Sequence, residues 1–504
     1  MALRGPGYVP RPDWHSQDVT DRDLHPAAAA LLEQGHRLAL VAAHEDAACF
    51  RVVYLFTAGT PDRRVELTLR TDHDHPTVPS LAGLSFTAGR FEREMRDLFG
   101  IVPLGHPLPR RMVRHDHWPQ GWYPMRSDAG PPPPFPTVEG DFPFLKIHGP
   151  GVYEIPVGPV HAGLIEPGHF RFTVVGETIL RLKARLWFVH KGIEKLGEGR
   201  TLEEALPLAE RISGDTAVGH ALALCLAVEG SMGIAVPDEA SVLRALLLEL
   251  ERLHNHVADL GALCNDVGFG IANAHALRVR EQLLRLNKRI TGHRLLRGGV
   301  IPGGAQVLEL PTDEELMALS ADIIDTFEIA MRNTTVLDRF AGTAILTRQQ
   351  AHELGALGYV ARASGVDIDA RRDHPFHPAT AAVPSAVRDE GDVLARARVR
   401  ADEIQHSTAL LGQLLRSATV GAWRRPLPPG LGLSLHGSAL VEGWRGTIAH
   451  RIELGPDGRL TRWKVVDPSF MTWPALPIAL ADTIVPDFPL VNKSFNLSYA
   501  GNDL

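Results

Sequence analysis

The 504-residue chain reads as an α+β protein: a small α+β N-terminal domain followed by a large, mainly α-helical domain with a minor β-sheet. Three observations predict this. β-branched and aromatic runs alternate with turn signals before residue 126, and apolar residues recur at helical spacing through the middle of the chain. Between them lies the run PPPPFP at 131–136. Consecutive prolines hold the backbone extended and remove donors, so neither a helix nor a central strand can pass through. The predicted domains are 1–126 and 146–504, joined by a Pro-rich linker over 127–145. At roughly 150 residues per domain the length allows two to four.

Each element has a local reason. Residues 27–34 (AAAALLEQ) favour a helix. Phe50–Phe56 and Val65–Leu69 are strand-like runs separated by Gly-Thr-Pro-Asp, a hairpin signal. Phe91–Leu98 reads as a short charged helix stopped by Gly100. Thr201 and Glu204 form a capping box ahead of a helix that Pro207 interrupts. Val242, Leu246, Leu250, Leu253, Val257 and Leu260 make one helical stripe. Thr312 and Glu315 predict a second capping box. Asp392 caps a helix, rich in alanine and arginine, that runs to about Leu415. Near the end, GTIAHRIEL and RLTRWKVV flank Asp457-Gly458 and read as a hairpin.

Composition excludes several classes. Hydrophobic residues at 44% and charged residues at 22% are ordinary for a globular protein, and the length can bury a core without disulfides or structural metal. Fifty-two Lys and Arg against 59 Asp and Glu leave a net charge of −7, which argues against a nucleic-acid partner. Cys49, Cys225 and Cys264 form no CxxC pair and fit a reducing compartment. The first residues lack a secretory apolar core, and no uncharged apolar run approaches the ~18 residues of a membrane span. A soluble chain is expected, or one docked on a membrane through other subunits. Of the 24 histidines, His254 and His256 are two apart and face different ways on a helix. No HEXXH, Walker A, GxGxxG or GxSxG pattern is present, so no dinucleotide site is expected in this chain.

Longer strings are more specific. Glu92-Arg-Glu94, Asp97-Leu-Phe-Gly-Ile101, Gly105-His-Pro107 and Arg110-Arg111 follow one another, with GWYPMR at 121–126. This order resembles the C-type peripheral subunit of respiratory complex I. GPVHAGLIEPGHFRF (158–172), HKGIEKLGEG (190–199), AERISGDTAVGH (209–220), ERLHNHVADLG (251–261) and ARASGVDIDARRDHPF (361–376) resemble its D-type subunit. They resemble more closely the large subunit of membrane-bound nickel–iron hydrogenases of the formate hydrogenlyase and hydrogenase-4 type, in which the two modules are fused. The resemblance covers residues 30–126 and 142–504.

One departure changes the functional expectation. In those hydrogenases two CxxC motifs hold the metal pair, because soft thiolates stabilise nickel and bridge it to iron. At the matching positions this chain has Ser213 and Thr216, then Ser498 and Gly501. By the same resemblance, no tail for a maturation protease to remove is expected after Leu504. The resemblance therefore predicts no bound nickel and no hydrogen activation.

Complex I lost the same ligands and uses the vacated cavity for quinone. By resemblance, the cavity here is lined by Glu166, His169, Ser213, Asp215, Thr216, Ser498 and Tyr499, a set able to serve a proton-coupled two-electron carrier. Gly214 stands where the D-type subunit has a quinone-binding tyrosine. The resemblance implies a small iron–sulfur partner subunit, membrane-arm subunits, quinone at the interface, and NAD only on another subunit. It places the chain as a peripheral protein on the cytoplasmic side of the cell membrane. Glu166 reads equally as a proton gate or a salt-bridged carboxylate. A redox-silent coupling subunit, and reduction of another small oxidant such as a sulfur compound, stay open as alternatives.

Overall fold

The computed structural model describes residues 12–138, 144–163 and 165–504. Part of the expected 127–145 linker lies outside the described residues; 132–138 carry no regular secondary structure.

The N-terminal segment is built on a four-stranded sheet. Cys49–Ala58 and Arg63–Asp72 form the hairpin that Gly-Thr-Pro-Asp predicts, with Ala58 opposite Arg63. Arg37–Glu45 joins one edge antiparallel, and Asp13–Val19 joins the other edge parallel. Helices Asp21–Glu33 and Phe86–Phe99 accompany this sheet. The second is longer than the sequence suggests, because Ser85 caps it by accepting from Ala88 N. Its stop is Gly100 at φ 78°, where a Cβ would also meet the Tyr123 ring at 2.8 Å.

Its charges are not a solvated face, since Glu92, Glu94 and Asp97 are all buried. Glu92 accepts from Ser80 Oγ and Leu81 N at 2.6 Å each, and burial pushes its carboxyl up to about 7. Asp97 gathers the backbone N–H groups of Met112, Val113 and Arg114. The ordered charges of this motif are therefore joinery: they hold the following loop to the helix.

The C-terminal segment centres on Asp238–Asp266, a 29-residue helix whose predicted stripe is buried. Ala217–Ser231, Gly270–Thr291 and Val393–Leu415 pack around it. Thr201 makes the full capping box with Glu204. Thr312 makes only half of one: it accepts from Glu315 N, but the Glu315 carboxylate reaches Arg289 at 2.9 Å instead. A salt-bridge partner outcompetes the cap when a cation lies within reach.

Two further sheets frame the site. Val152–Val157, His169–Val175 and Thr178–Arg185 form one antiparallel meander. Leu435–Gly443, Gly446–Leu454 and Leu460–Val466 form the other. This second sheet is buried on both faces. Ala439, Val441, Ile448 and Ile452 join the helical core, while Leu440, Ala449 and Val466 join the core of the N-terminal segment. Strands buried on both faces show no in–out alternation.

Candidate functional site

Three stretches meet at one surface of the helical core. They are the turn 212–216 ahead of Ala217–Ser231, the end of the chain from 496, and the tight turn Trp444-Arg445 between Gly443 and Gly446. That last turn demands glycine. Gly446 sits at φ 134°, and a Cβ there would meet Gly358 N at 2.7 Å. The constraint aims Trp444 and Arg445 at residues 215–216.

The hydroxyl cluster can be assigned donor by donor. Ser213 Oγ donates to Asp215 Oδ1 at 2.8 Å, so in its 2.8 Å contact with Ser498 Oγ it must accept. Ser498 in turn caps Tyr499–Asp503 by accepting from Gly501 N at 2.9 Å. Thr216 Oγ1 donates to the same Asp215 oxygen. Arg445 grips Asp215 with both terminal nitrogens at 2.7 Å, and its guanidinium lies 3.9 Å over the Trp444 ring. Trp444 Nε1 and Asn255 Nδ2 both donate to Asp215 O. Desolvation works against an ionised Asp215, but the Arg445 fork and the two hydroxyls outweigh it and hold the carboxyl well below the ordinary range. Its side chain remains 38% exposed beside exposed Gly214, so the cluster opens to the surface.

Behind the cluster lies Asp467. It caps Pro468–Thr472 through Ser469 N at 2.7 Å and meets His220 Nε2 at 3.0 Å. Burial opposes its ionisation; the His220 contact and the Arg445 charge prevail and lower its pKa. A Cβ at Gly501 would fall 2.5 Å from Asp467 Cγ. Glu251, from the neighbouring long helix, accepts from Val218 N at 2.7 Å and Gly219 N at 3.0 Å. It thereby closes the buried start of Ala217–Ser231, and burial pushes its carboxyl up to about 8.

Of the residues expected to line one cavity, Ser213, Asp215, Thr216 and Ser498 form a single hydrogen-bonded group. Glu166 joins its edge, accepting from Ala500 N at 2.9 Å. Lys191 lies close by, donating to Arg211 O and Ile212 O, with burial lowering its pKa. His169 and Tyr499 are placed apart from the hydroxyls. His169 contacts Gly158 O at 3.2 Å and lies near the Phe144 ring. The Tyr499 ring packs on Gly168, Trp473 and Phe170, and burial pushes its phenol up to about 12.

Arg445, Trp444, Asp467 and His450 are not among the residues that motif and resemblance single out, and Glu251 enters only as the first residue of the ERLHNHVADLG string, with no role. Gly-Trp-Arg-Gly is a legible turn, and Asp467-Pro468 a legible cap. Nothing local announces that the turn points at residues 215–216, some 230 positions earlier, or that the cap faces His220.

The donor set does not fit a thiolate-bridged nickel–iron pair. Its four positions hold three hydroxyls and a glycine, and a cysteine at 501 would collide with Asp467. Among the described residues no group of three or more His, Cys, Asp or Glu is placed to hold a metal ion.

Comparison with known proteins agrees on the lineage. Residues 17–133 match the respiratory-chain NADH dehydrogenase 30 Kd subunit, 266–426 the 49 Kd subunit, and 191–264 the nickel-dependent hydrogenase family. The chain is 32% identical over 453 residues to formate hydrogenlyase subunit 5 of Escherichia coli (strain K12), covering 87% of this chain and 79% of that one. It is 31% identical over 430 residues to the fused C/D polypeptide of the NADH-quinone oxidoreductase of Bacteroides thetaiotaomicron, covering 80% and 81%. A solved archaeal respiratory complex, the membrane-bound sulfane sulfur reductase, contains a chain similar with TM-score 0.63 and 25% identity. That match covers 70% of this chain and 99% of the other. These relatives are subunits of membrane-bound respiratory and hydrogenase-type complexes, and no helix among the described residues is long and apolar enough to cross a membrane. The chain thus belongs to the family in which the C-type and D-type subunits shared by complex I and membrane-bound hydrogenases are fused in one polypeptide.

Proposed function

We propose that this chain is an electron- and proton-transfer subunit of a complex I-like oxidoreductase, peripheral on the cytoplasmic side of the cell membrane. A small iron–sulfur subunit supplies electrons from its cluster, quinone takes them at the interface, and no hydrogen is activated. Any NAD chemistry belongs to another subunit. The observation that carries this reading is the surface-open group Ser213–Asp215–Thr216–Ser498, locked by Arg445 at the positions where relatives need thiolates. Its hydroxyls and fixed charges can orient an oxygen-bearing acceptor. Glu166 and Lys191 beside it can exchange the two protons that accompany two electrons. Ile165, half-exposed beside Glu166, offers an apolar contact suited to a partner's surface.

A second acceptor, a sulfane sulfur compound, is favoured by the likeness to the sulfane sulfur reductase chain. One experiment separates the readings. The native complex, tagged at the N-terminus because Leu504 O is held by Lys191 N and Gly192 N, is chemically reduced. It is then mixed with a short-chain quinone or with polysulfide while the clusters are followed by electron paramagnetic resonance. Quinone should reoxidise them, and Asp215→Asn should slow this by roughly 10-fold or more. Reoxidation by polysulfide alone would replace quinone with sulfur. Reoxidation by neither would leave a coupling subunit.

A further inference from the structure

We infer that Trp463 orients a buried one-way donor chain, Trp463→His450→His220→Asp467, which keeps Asp467 anionic behind the site and closes the interior to proton transfer. The inference rests on the reading of this cluster as a redox and proton site. The assignment follows from one fact of chemistry: an indole nitrogen donates and cannot accept.

Trp463 Nε1 lies 3.3 Å from His450 Nδ1, so that nitrogen must be the bare acceptor. A neutral His450 then carries its proton on Nε2, 3.0 Å from His220 Nδ1, which must accept in its turn. His220 therefore carries its proton on Nε2 and donates to Asp467 Oδ2 at 3.0 Å. All three side chains before Asp467 are fully buried, so no water is at hand to reverse a ring.

The chain cannot relay. A proton moving inward from Asp467 needs His220 with a bare Nε2 and a protonated Nδ1. That would force His450 to protonate Nδ1 against the indole N–H. A proton moving outward from His450 would leave an imidazolate, because the indole does not surrender its proton. Proton exchange at the site is thereby confined to the outer side, where Glu166, Lys191 and Asp215 lie. The charged groups around the chain are consistent with this. Arg445 from the 443–446 turn and Lys191 from the loop before Ile193–Gly197 both favour an ionised Asp467. Glu251 faces the backbone of Val218 and Gly219 next to His220. Burial, then the His220 ring, also push His450 well below the usual histidine range.

The test is selective nitrogen-15 histidine NMR on the full chain, with signals assigned by their loss in His220→Gln and His450→Gln. Both rings should appear as neutral Nε2–H tautomers, and His450 should stay so from about pH 5 to 8. In Trp463→Phe, which cannot donate, an Nδ1–H form should become populated in at least one ring. A protonated Nδ1 in either wild-type ring overturns the inference. Gly197 packs on the indole, so if Trp463→Phe fails to fold, the wild-type tautomers decide alone. The acceptor assignment can fail in the reoxidation experiment without altering these tautomers, so the two failures are distinguishable.

Discussion

Gly501 and Asp467 are coupled by space. At position 501 this chain has a residue with no side chain, and the Asp467 carboxylate fills the room a Cβ would take. Gly501→Ala should therefore destabilise the chain by about 1–3 kcal/mol, the usual cost of overpacking a tight site. Asp467→Ala removes the obstacle but strands the His220 donor. The double variant should be distinctly more stable than the sum of the two single losses, which urea unfolding of the four chains would measure. Strict additivity would mean that the collision is relieved elsewhere. A practical consequence is that restoring four cysteines alone would not rebuild a metal cradle.

Among the elements, the start of Ala217–Ser231 depends on a residue from another helix. This helix has no side-chain cap of its own, and Glu251 supplies two acceptors to its first turn. The folded Glu251 carboxyl titrates near 8, far above an unfolded glutamate near 4.3. As pH rises from about 4.5 to 8 the unfolded chain loses this proton while the folded chain keeps it. Stability should fall across that window by about 1.4 kcal/mol per pH unit from this group, then level off. Glu251→Gln cannot ionise, so its stability should lack that slope. It should also be lower overall at acid pH, because its amide hydrogens face a backbone N–H. Denaturation midpoints at several pH values, wild type against variant, would check both.

Across the whole molecule, the sheet Leu435–Val466 is the plate to which both segments are fastened. Lys464 Nζ lies 2.8 Å from both Glu94 oxygens and 3.0 Å from Glu194 Oε1, all buried. Arg451 pairs with Glu66, Arg51 with Glu453, and Arg462 donates to Ala43 O. Removing the shared cation leaves two carboxylates facing each other out of water. Lys464→Met should cost about 3–5 kcal/mol. Protease cleavage between the segments should accelerate with it, whereas high salt should change little because the bridge is buried. The N-terminal segment thereby supports the sheet that carries Trp463, His450 and Arg445, so its loosening should reach the site.

Residue order alone was enough for the α+β class, the hairpins at 59–62 and 457–458, the long helix with its apolar stripe, and the Thr201 and Asp392 caps. These are local properties of spacing and residue type, and turn chemistry and helical periodicity express them within a few residues. The rest came from tertiary contacts. Ala217–Ser231 and the Leu435–Val466 sheet are buried on all sides, so neither shows the amphipathic pattern by which local reading works. Folding also turned the charges of Phe86–Phe99 inward: Glu92 and Asp97 found partners in the flanking loops, and Glu94 found Lys464, 370 residues away. Ser213, Ser498 and Arg445 meet only because three distant turns converge, and the direction of the histidine chain follows from a single indole placed at its end. Contacts made across the whole chain leave no mark on spacing within any one part of it.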